Sequence, residues 1–242
     1  MEGYEIIKQR FNTVWDDIKK VGLENVFFPE EAKLRMQLPI KDGQGQYIFD
    51  LKKESLADNV TTFVLQRNDV FVPSRIGVFI GMTHIASGVQ TLYSFAPQKP
   101  QDANSVFEAG FETNDIERLY SGNLTCKLGT NIMLNQFPME NFKKVPRQQG
   151  AFVLNSDDEP VNELIQPEWD IEKAMHLLMP RYTLAGQRDI LFAVNFDAAT
   201  KSFPVTAGYS AELVLYLDGF LIKGGCEKIY GKNPFGEAPG NW

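Results

Sequence analysis

The residue types that support acid–base and metal chemistry are scarce in this chain. It has two histidines, His84 and His176, which lie far apart in the sequence. A metal enzyme built on a small β-barrel needs two or three histidines and a carboxylate that converge in its interior. Glu172 precedes His176 by four residues on a predicted helix, and such a pair is more often an exposed ion pair than a metal site. The sequence therefore predicts no metal centre.

Acidic residues cluster at two places, but neither place has the pattern of a catalytic or calcium site. Asp157, Asp158 and Glu159 are contiguous, whereas a calcium loop alternates its ligands. Glu168 and Asp170 precede a predicted helix, where carboxylates interact favourably with the helix dipole. A carboxylate pair for glycoside hydrolysis stays open at this stage, because the separation of such a pair is a three-dimensional quantity.

Nucleophilic chemistry has equally little support. Cys126 and Cys226 have no histidine near them in the sequence and are expected to be small buried apolar residues. The chain contains no G-x-S-x-G, P-loop or G-x-G-x-x-G motif. Its first residues lack the apolar core of a signal peptide, so both thiols are expected to stay reduced. We therefore expect a protein that is not an enzyme and has no cofactor.

Charge and hydropathy narrow the functional classes further. The chain of 242 residues carries a net charge of −7, from 24 Lys and Arg against 31 Asp and Glu. A nucleic-acid surface needs clustered basic residues to displace counterions from phosphates, so no direct nucleic-acid binding is expected. No apolar run reaches the roughly 18 residues of a membrane-spanning helix, so no membrane span is expected either.

Most of the chain has the apolar pattern of β-strands. The predicted strands cover 34–40, 46–51, 59–66, 69–82 and 89–95, then a strand pair or one bent strand over 123–137, and two long strands within 189–225. Pro73 indicates a bulge or a sheet edge. In the last strand, Leu213 and Leu215 point one way and Val214 and Tyr216 the other. Both faces of that strand must therefore be covered, inside a sandwich or by a neighbouring subunit.

The N-terminal residues 4–21 have the periodicity of an amphipathic helix that Gly22 can close. The apolar stripe consists of Tyr4, Ile7, Phe11, Trp15 and Ile18, and the opposite face carries Lys8, Arg10, Asp16, Lys19 and Lys20. Two alternatives stay open. The helix packs on its own domain, or it is an arm whose apolar stripe is the interface with another subunit. Two further short helices are predicted at 113–120 and 167–179, inside long connections.

These elements predict a mainly β fold. About eight strands without an alternating strand–helix rhythm exclude a doubly wound sheet. Long and unequal loops favour a jelly-roll-like antiparallel β-sandwich over an up-and-down barrel. The predicted organisation is an N-terminal amphipathic helix or arm over 1–23, a jelly-roll-like β-sandwich over 24–230 and an irregular tail over 231–242.

Four stretches of the chain resemble structural proteins of bacteriophage capsids and heads. They are LQRNDVFVPSRIGVFI at 65–80, NDIERLYSGNLTCKLG at 114–129, MENFKKVP at 139–146 and ELVLYLDGFLIKG at 212–224. The resemblance covers about half of the chain and implies a jelly-roll virion protein that is made in the host cytoplasm. It also implies copies of itself and other virion proteins as partners, and it assigns a role to no individual residue. The chain departs from the pattern by lacking a basic N-terminal arm, which argues against a genome-contacting role.

Three functional classes follow, with a capsid or capsid-associated subunit as the leading hypothesis. The main alternative is a carbohydrate- or receptor-binding β-sandwich, and the third is a cupin-like or glycoside-cleaving enzyme. The tryptophans are dispersed at Trp15, Trp169 and Trp242, whereas a sugar platform displays aromatic rings on one face. Phenylalanine, with 18 residues, dominates instead, which favours core and interface packing.

Overall fold

The structure is a computed structural model that describes residues 2–20, 22–41, 43–51, 65–94, 120–143, 153–154, 160–161, 175–178, 182–200 and 208–226. Within these ranges, one α-helix precedes twelve strands. In chain order they are α1 Glu2–Lys20, β1 Glu30–Pro39, β2 Gln44–Asp50, β3 Val70–His84, β4 Gln90–Tyr93, β5 Asn123–Leu128, β6 Asn131–Pro138, β7 Val153–Leu154, β8 Pro160–Val161, β9 His176–Leu177, β10 Leu184–Ala185, β11 Ile190–Thr200 and β12 Tyr209–Ile222. A short 3-10 helix, Met139–Phe142, follows β6.

Ten of these described strands form two antiparallel sheets that we call sheet A, with six strands, and sheet B, with four. Sheet A has the order β1-β12-β3-β10, and β4 and β9 also pair with β3. Sheet B has the order β2-β11-β5-β6, and β7 and β8 form a separate two-stranded ribbon. The helix and the two sheets confirm the predicted mainly β class.

The pairing of the strands identifies the connectivity. Eight strands, taken in chain order, form a nested set: β1, β2, β3, β5, β6, β10, β11 and β12. The first and last of them, β1 and β12, pair with each other, and β2 pairs with β11. Strand β3 pairs with β10 through a short two-residue ladder, and β5 pairs with β6. Such nested pairing is a long hairpin rolled into two Greek keys, which is a jelly roll. The predicted jelly-roll-like sandwich is therefore confirmed.

The main core lies between the two sheets. In sheet B, buried residues alternate with accessible ones along β2, β5 and β11, as expected for a sheet with one solvated face. The buried residues include Tyr47, Phe49, Leu124, Cys126, Ile190, Phe192 and Val194, and they pack against Leu34, Met36, Phe71, Ile76, Val78, Ile80, Met82, Leu213, Leu215 and Leu217 of sheet A.

A β-bulge near the start of β3 changes which of its residues face this core. Gly219 is opposite Pro73 and Asp218 is opposite Arg75, so Ser74 is the extra residue. Phe71 points into the core before the bulge, whereas Ile76 and the even-numbered residues after it point inward. A Cβ atom added to Gly219 would lie 2.2 Å from the carbonyl oxygen of Val72, so the close approach of the two strands here requires glycine. Of the two alternatives predicted from Pro73, a bulge or a sheet edge, the structure has the bulge.

Some predictions need correction, and others fall outside the described residues. The helix predicted over 167–179 does not extend over its described residues, because His176 and Leu177 form β9 on β3 and Leu178 N donates to Ser74 O at 3.0 Å. The backbone groups of these residues make their hydrogen bonds to β3 and not within a helix. The strand at 59–66, the helix at 113–120, the acidic residues 157–159, the carboxylates at 168, 170 and 172, and the tail 231–242 lie wholly or mostly outside the described residues.

Candidate interaction surface

Helix α1 packs on the outer face of sheet A. Its residues Val14 and Ile18 are fully buried and form a second apolar cluster with Val70, Val72 and Ile222, which point away from the main core. Gly22 has a φ of 69° and ends the helix, with its N–H donating to Lys19 O at 2.9 Å. At the start of β3 and the end of β12, α1 thus covers the outer face of sheet A within the same chain. Further along β12, Val214 packs with Phe79 and Met175.

Arg10 fixes the helix to the β-bulge. Its guanidinium donates to the carbonyl oxygens of Pro73 at 3.2 Å and Ser74 at 3.0 Å, and also to that of Leu178. The residue is only 6% exposed, although the helical pattern had placed it on the solvent face with the lysines. That expectation is wrong because the carbonyl oxygens of the bulge and of Leu178 meet at Arg10, and the planar fork of arginine can donate to several of them at once.

Beside this contact lies a group of rings, Phe11, Trp15, Phe28 and Phe220, which we call the aromatic cluster. The ring centroid of Phe11 lies 6.5 Å from that of Trp15, 6.0 Å from that of Phe28 and 5.5 Å from that of Phe220. Trp15 and Phe28 meet edge to face at 5.2 Å. Phe28 remains 62% exposed, so the cluster presents an apolar edge to solvent.

The solvent side of α1 carries a row that we call the polar stripe, consisting of Glu5, Lys8, Asn12, Asp16 and Lys19. All five residues are exposed. Lys19 Nζ lies 3.7 Å from Asp16 Oδ1 and 5.7 Å from the centroid of the Trp15 ring, so the stripe borders the aromatic cluster. An exposed ion pair of this kind contributes little to folding, about 0.2–1 kcal/mol.

The five residues predicted as an interface separate into different environments. Ile18 is fully buried within its own chain, so its side chain is not available to a neighbouring subunit. Phe11, Trp15 and Ile7 are partly buried, and Tyr4 is 69% exposed. Packing on the own domain accounts for Ile18, and contact with another subunit stays a prediction for the exposed parts of the other four.

A second feature, a polar network that crosses four strands of sheet A, was not found by sequence reasoning. The side-chain amide of Gln90 on β4 donates to Glu212 Oε2 at 3.1 Å, and lies 2.9 Å from Thr83 Oγ1. It also donates to Gln37 Oε1 on β1 at 3.2 Å. Gly81 makes room for this amide, since an added Cβ atom would lie 2.7 Å from Gln90 Nε2. The network ties the short β4 to the sheet, and no local pattern signals it because each member comes from a different strand.

The two histidines lie at separate places in the described part of the chain. His84 Nδ1 lies 2.8 Å from Ser87 Oγ in the turn after β3, and its ring packs 4.9 Å from that of Tyr209. His176 packs against the rings of Phe137 and Phe142. Among the described residues, no group of three His, Cys, Asp or Glu side chains is arranged to hold a metal ion.

The two cysteines lie in different apolar clusters and form no disulfide. Burial raises the pKa of the Cys126 thiol to about 12, which keeps it protonated and unreactive at neutral pH. Burial likewise raises the pKa of Tyr120 far above its usual value. Cys226 Sγ donates to Asp69 O at 3.0 Å. Both thiols pack as the small apolar residues that the sequence predicted.

The outer face of sheet B differs from that of sheet A. Its exposed large apolar residues are Ile48 at 49% and Ile132 at 52% in the described part of the sheet. Gln46 Nε2 donates to Asn195 Oδ1 at 2.6 Å on this face. Scattered apolar residues of this kind are normal on a solvated surface. The concentrated aromatic surface in the described part is therefore the one beside α1.

No helix in the described residues is long and apolar enough to cross a membrane. Comparison with protein-family models, with curated proteins and with solved structures finds no match to this chain.

Proposed function

We propose that this protein is a structural virion protein, a capsid or capsid-associated subunit that acts by assembling with copies of itself and with other virion proteins. The observation that carries the proposal is the nested pairing of a jelly roll, an architecture that viral capsid proteins use together with lectins and cupins. The resemblance of four stretches to phage head proteins points to the first of these three uses.

The chemistry of the described residues supports assembly over catalysis. A cupin-like enzyme would need metal ligands that converge between the two sheets, whereas the described residues of that core are mainly apolar. A sugar-binding module would need exposed flat rings, whereas Trp15 stacks against Phe11 and meets Phe28 edge to face. The partly exposed aromatic cluster is better suited to a protein contact.

Mass photometry of the purified chain, followed by negative-stain electron microscopy, tests the proposal. We expect closed oligomers or particles whose population grows with protein concentration. A chain that stays monomeric at every concentration, and that binds saccharides on a glycan array, would contradict the proposal and support the carbohydrate-binding alternative.

A further inference from the structure

The polar stripe of α1 has a symmetric arrangement. Its residues Glu5, Lys8, Asn12, Asp16 and Lys19 are separated by three, four, four and three positions. At 3.6 residues per turn, all of them project within about 40° of the direction of Asn12. The stripe is thus a straight row on the face that the helix turns away from sheet A, and it extends over about 21 Å of the helix axis.

When two copies of this row face each other in opposite directions, each acidic residue of one copy lies opposite a basic residue of the other. Around Asn12, Glu5 is the counterpart of Lys19, and Lys8 is the counterpart of Asp16, so each acidic position maps onto a basic one. A second α1 in the antiparallel direction would therefore place opposite charges together at four points. In the parallel direction each residue would meet its own copy, and all four contacts would be repulsive.

From this complementarity we infer that two copies of this chain associate through α1, with the helices antiparallel about a two-fold axis near Asn12. Such an isologous contact uses the same patch on both subunits, which is the commonest symmetry of soluble oligomers. The aromatic cluster borders the row through Trp15, whose ring lies under Lys19. It supplies apolar area at the margin of the contact, while the charges set the direction of the helices.

This inference deepens the proposed function and rests on it for the biological setting of the contact. It assigns one two-fold interface to a subunit whose larger assembly needs other surfaces as well. The polar stripe contains no residue of the buried core, because Val14 and Ile18 lie on the opposite side of the helix. Charge changes on the stripe therefore leave the packing of α1 on sheet A in place.

Charge reversal and its rescue test the contact. Glu5→Lys and Lys19→Glu each replace two attractions in the dimer by two repulsions, so the dimer dissociation constant in sedimentation equilibrium should rise at least about tenfold. The double variant Glu5→Lys/Lys19→Glu restores opposite charges across the two-fold axis and should return to within about threefold of the original constant. Lys127→Glu, at an exposed position of β5 in sheet B, is the control with the same charge change as Lys19→Glu and should leave the constant unchanged.

The double variant separates the contact between copies from effects within one helix. Lys19→Glu also breaks the Lys19–Asp16 pair inside the helix, and the double variant does not repair that pair. Rescue by the double variant thus supports the two-fold contact, whereas a double variant as weak as either single one would overturn it. Oligomers that persist in both single variants would overturn the inference alone. A parent chain that never associates would overturn both the inference and the proposed function.

Discussion

Replacement of Arg10 by methionine should destabilise the whole domain, although the residue lies on a helix near the chain terminus. Methionine keeps a long apolar stem and removes every donor, so the carbonyl groups of Pro73, Ser74 and Leu178 lose the guanidinium. A hydrogen bond from a charged donor contributes about 1.5–3 kcal/mol. The cost of holding the guanidinium away from water offsets part of that sum. We therefore expect a net loss of about 2–4 kcal/mol in the free energy of unfolding, which is large for a single substitution.

Urea denaturation of dilute protein, followed by far-ultraviolet circular dichroism and tryptophan fluorescence, measures this loss. With an m-value of about 2 kcal/mol per molar, the urea midpoint should fall by roughly 1–2 M. Arg10→Lys keeps the charge but not the planar fork, so its midpoint should lie between those of the parent and Arg10→Met. Lys8→Met removes an exposed charge from the same helix and should change the stability by less than about 0.5 kcal/mol. Equal midpoints for Arg10→Met and Lys8→Met would refute the assigned role of Arg10.

Two further predictions follow from buried groups. Between pH 9 and 12 the unfolded chain releases the Cys126 proton while the folded chain keeps it, so stability should fall with rising pH by up to about 1.4 kcal/mol per unit. Cys126→Ala should make that decline shallower in urea titrations, and an unchanged slope would show that the thiol is not shielded. Gly219→Ala should cost about 1–3 kcal/mol, because the added methyl group meets the backbone of Val72. Gly45→Ala, whose nearest neighbour to the new atom lies 3.9 Å away, is the matched control and should be nearly neutral.

The parts of the fold that sequence predicted are those set by local chemistry. The long apolar strands β3 and β12, the bulge at Pro73 and the helix end at Gly22 each depend on neighbouring residues or on a single backbone preference. The jelly roll followed from strand number and unequal loops, but its register did not, because pairing of the first strand with the last spans nearly the whole chain.

The parts that sequence could not supply depend on contacts between distant segments. The helical pattern placed Arg10 on the solvent face with the lysines. The carbonyl groups of Pro73 and Ser74, to which it donates, lie more than 60 positions away, so no neighbouring residue indicates this contact. Val214 and Tyr216 indicated that the outer face of β12 is covered, but the pattern of one strand is the same whether its own chain or a neighbour covers it. The polar network around Gln90 was equally hidden, since its members come from four separate strands.

The two faces of α1 determine which experiment can reveal an assembly role. Its apolar side covers Val70, Val72 and Ile222, so removal of residues 1–22 would expose the outer face of sheet A and remove Arg10 together with it. Loss of oligomers in such a truncated chain would then report damage to the fold as readily as loss of a contact. Substitutions on the polar stripe avoid this ambiguity, because the exposed side chains of Glu5 and Lys19 lie outside the buried clusters of the domain. Reversed charges that abolish association, and a double reversal that restores it in an equally stable domain, would assign the contact to the outer face of α1.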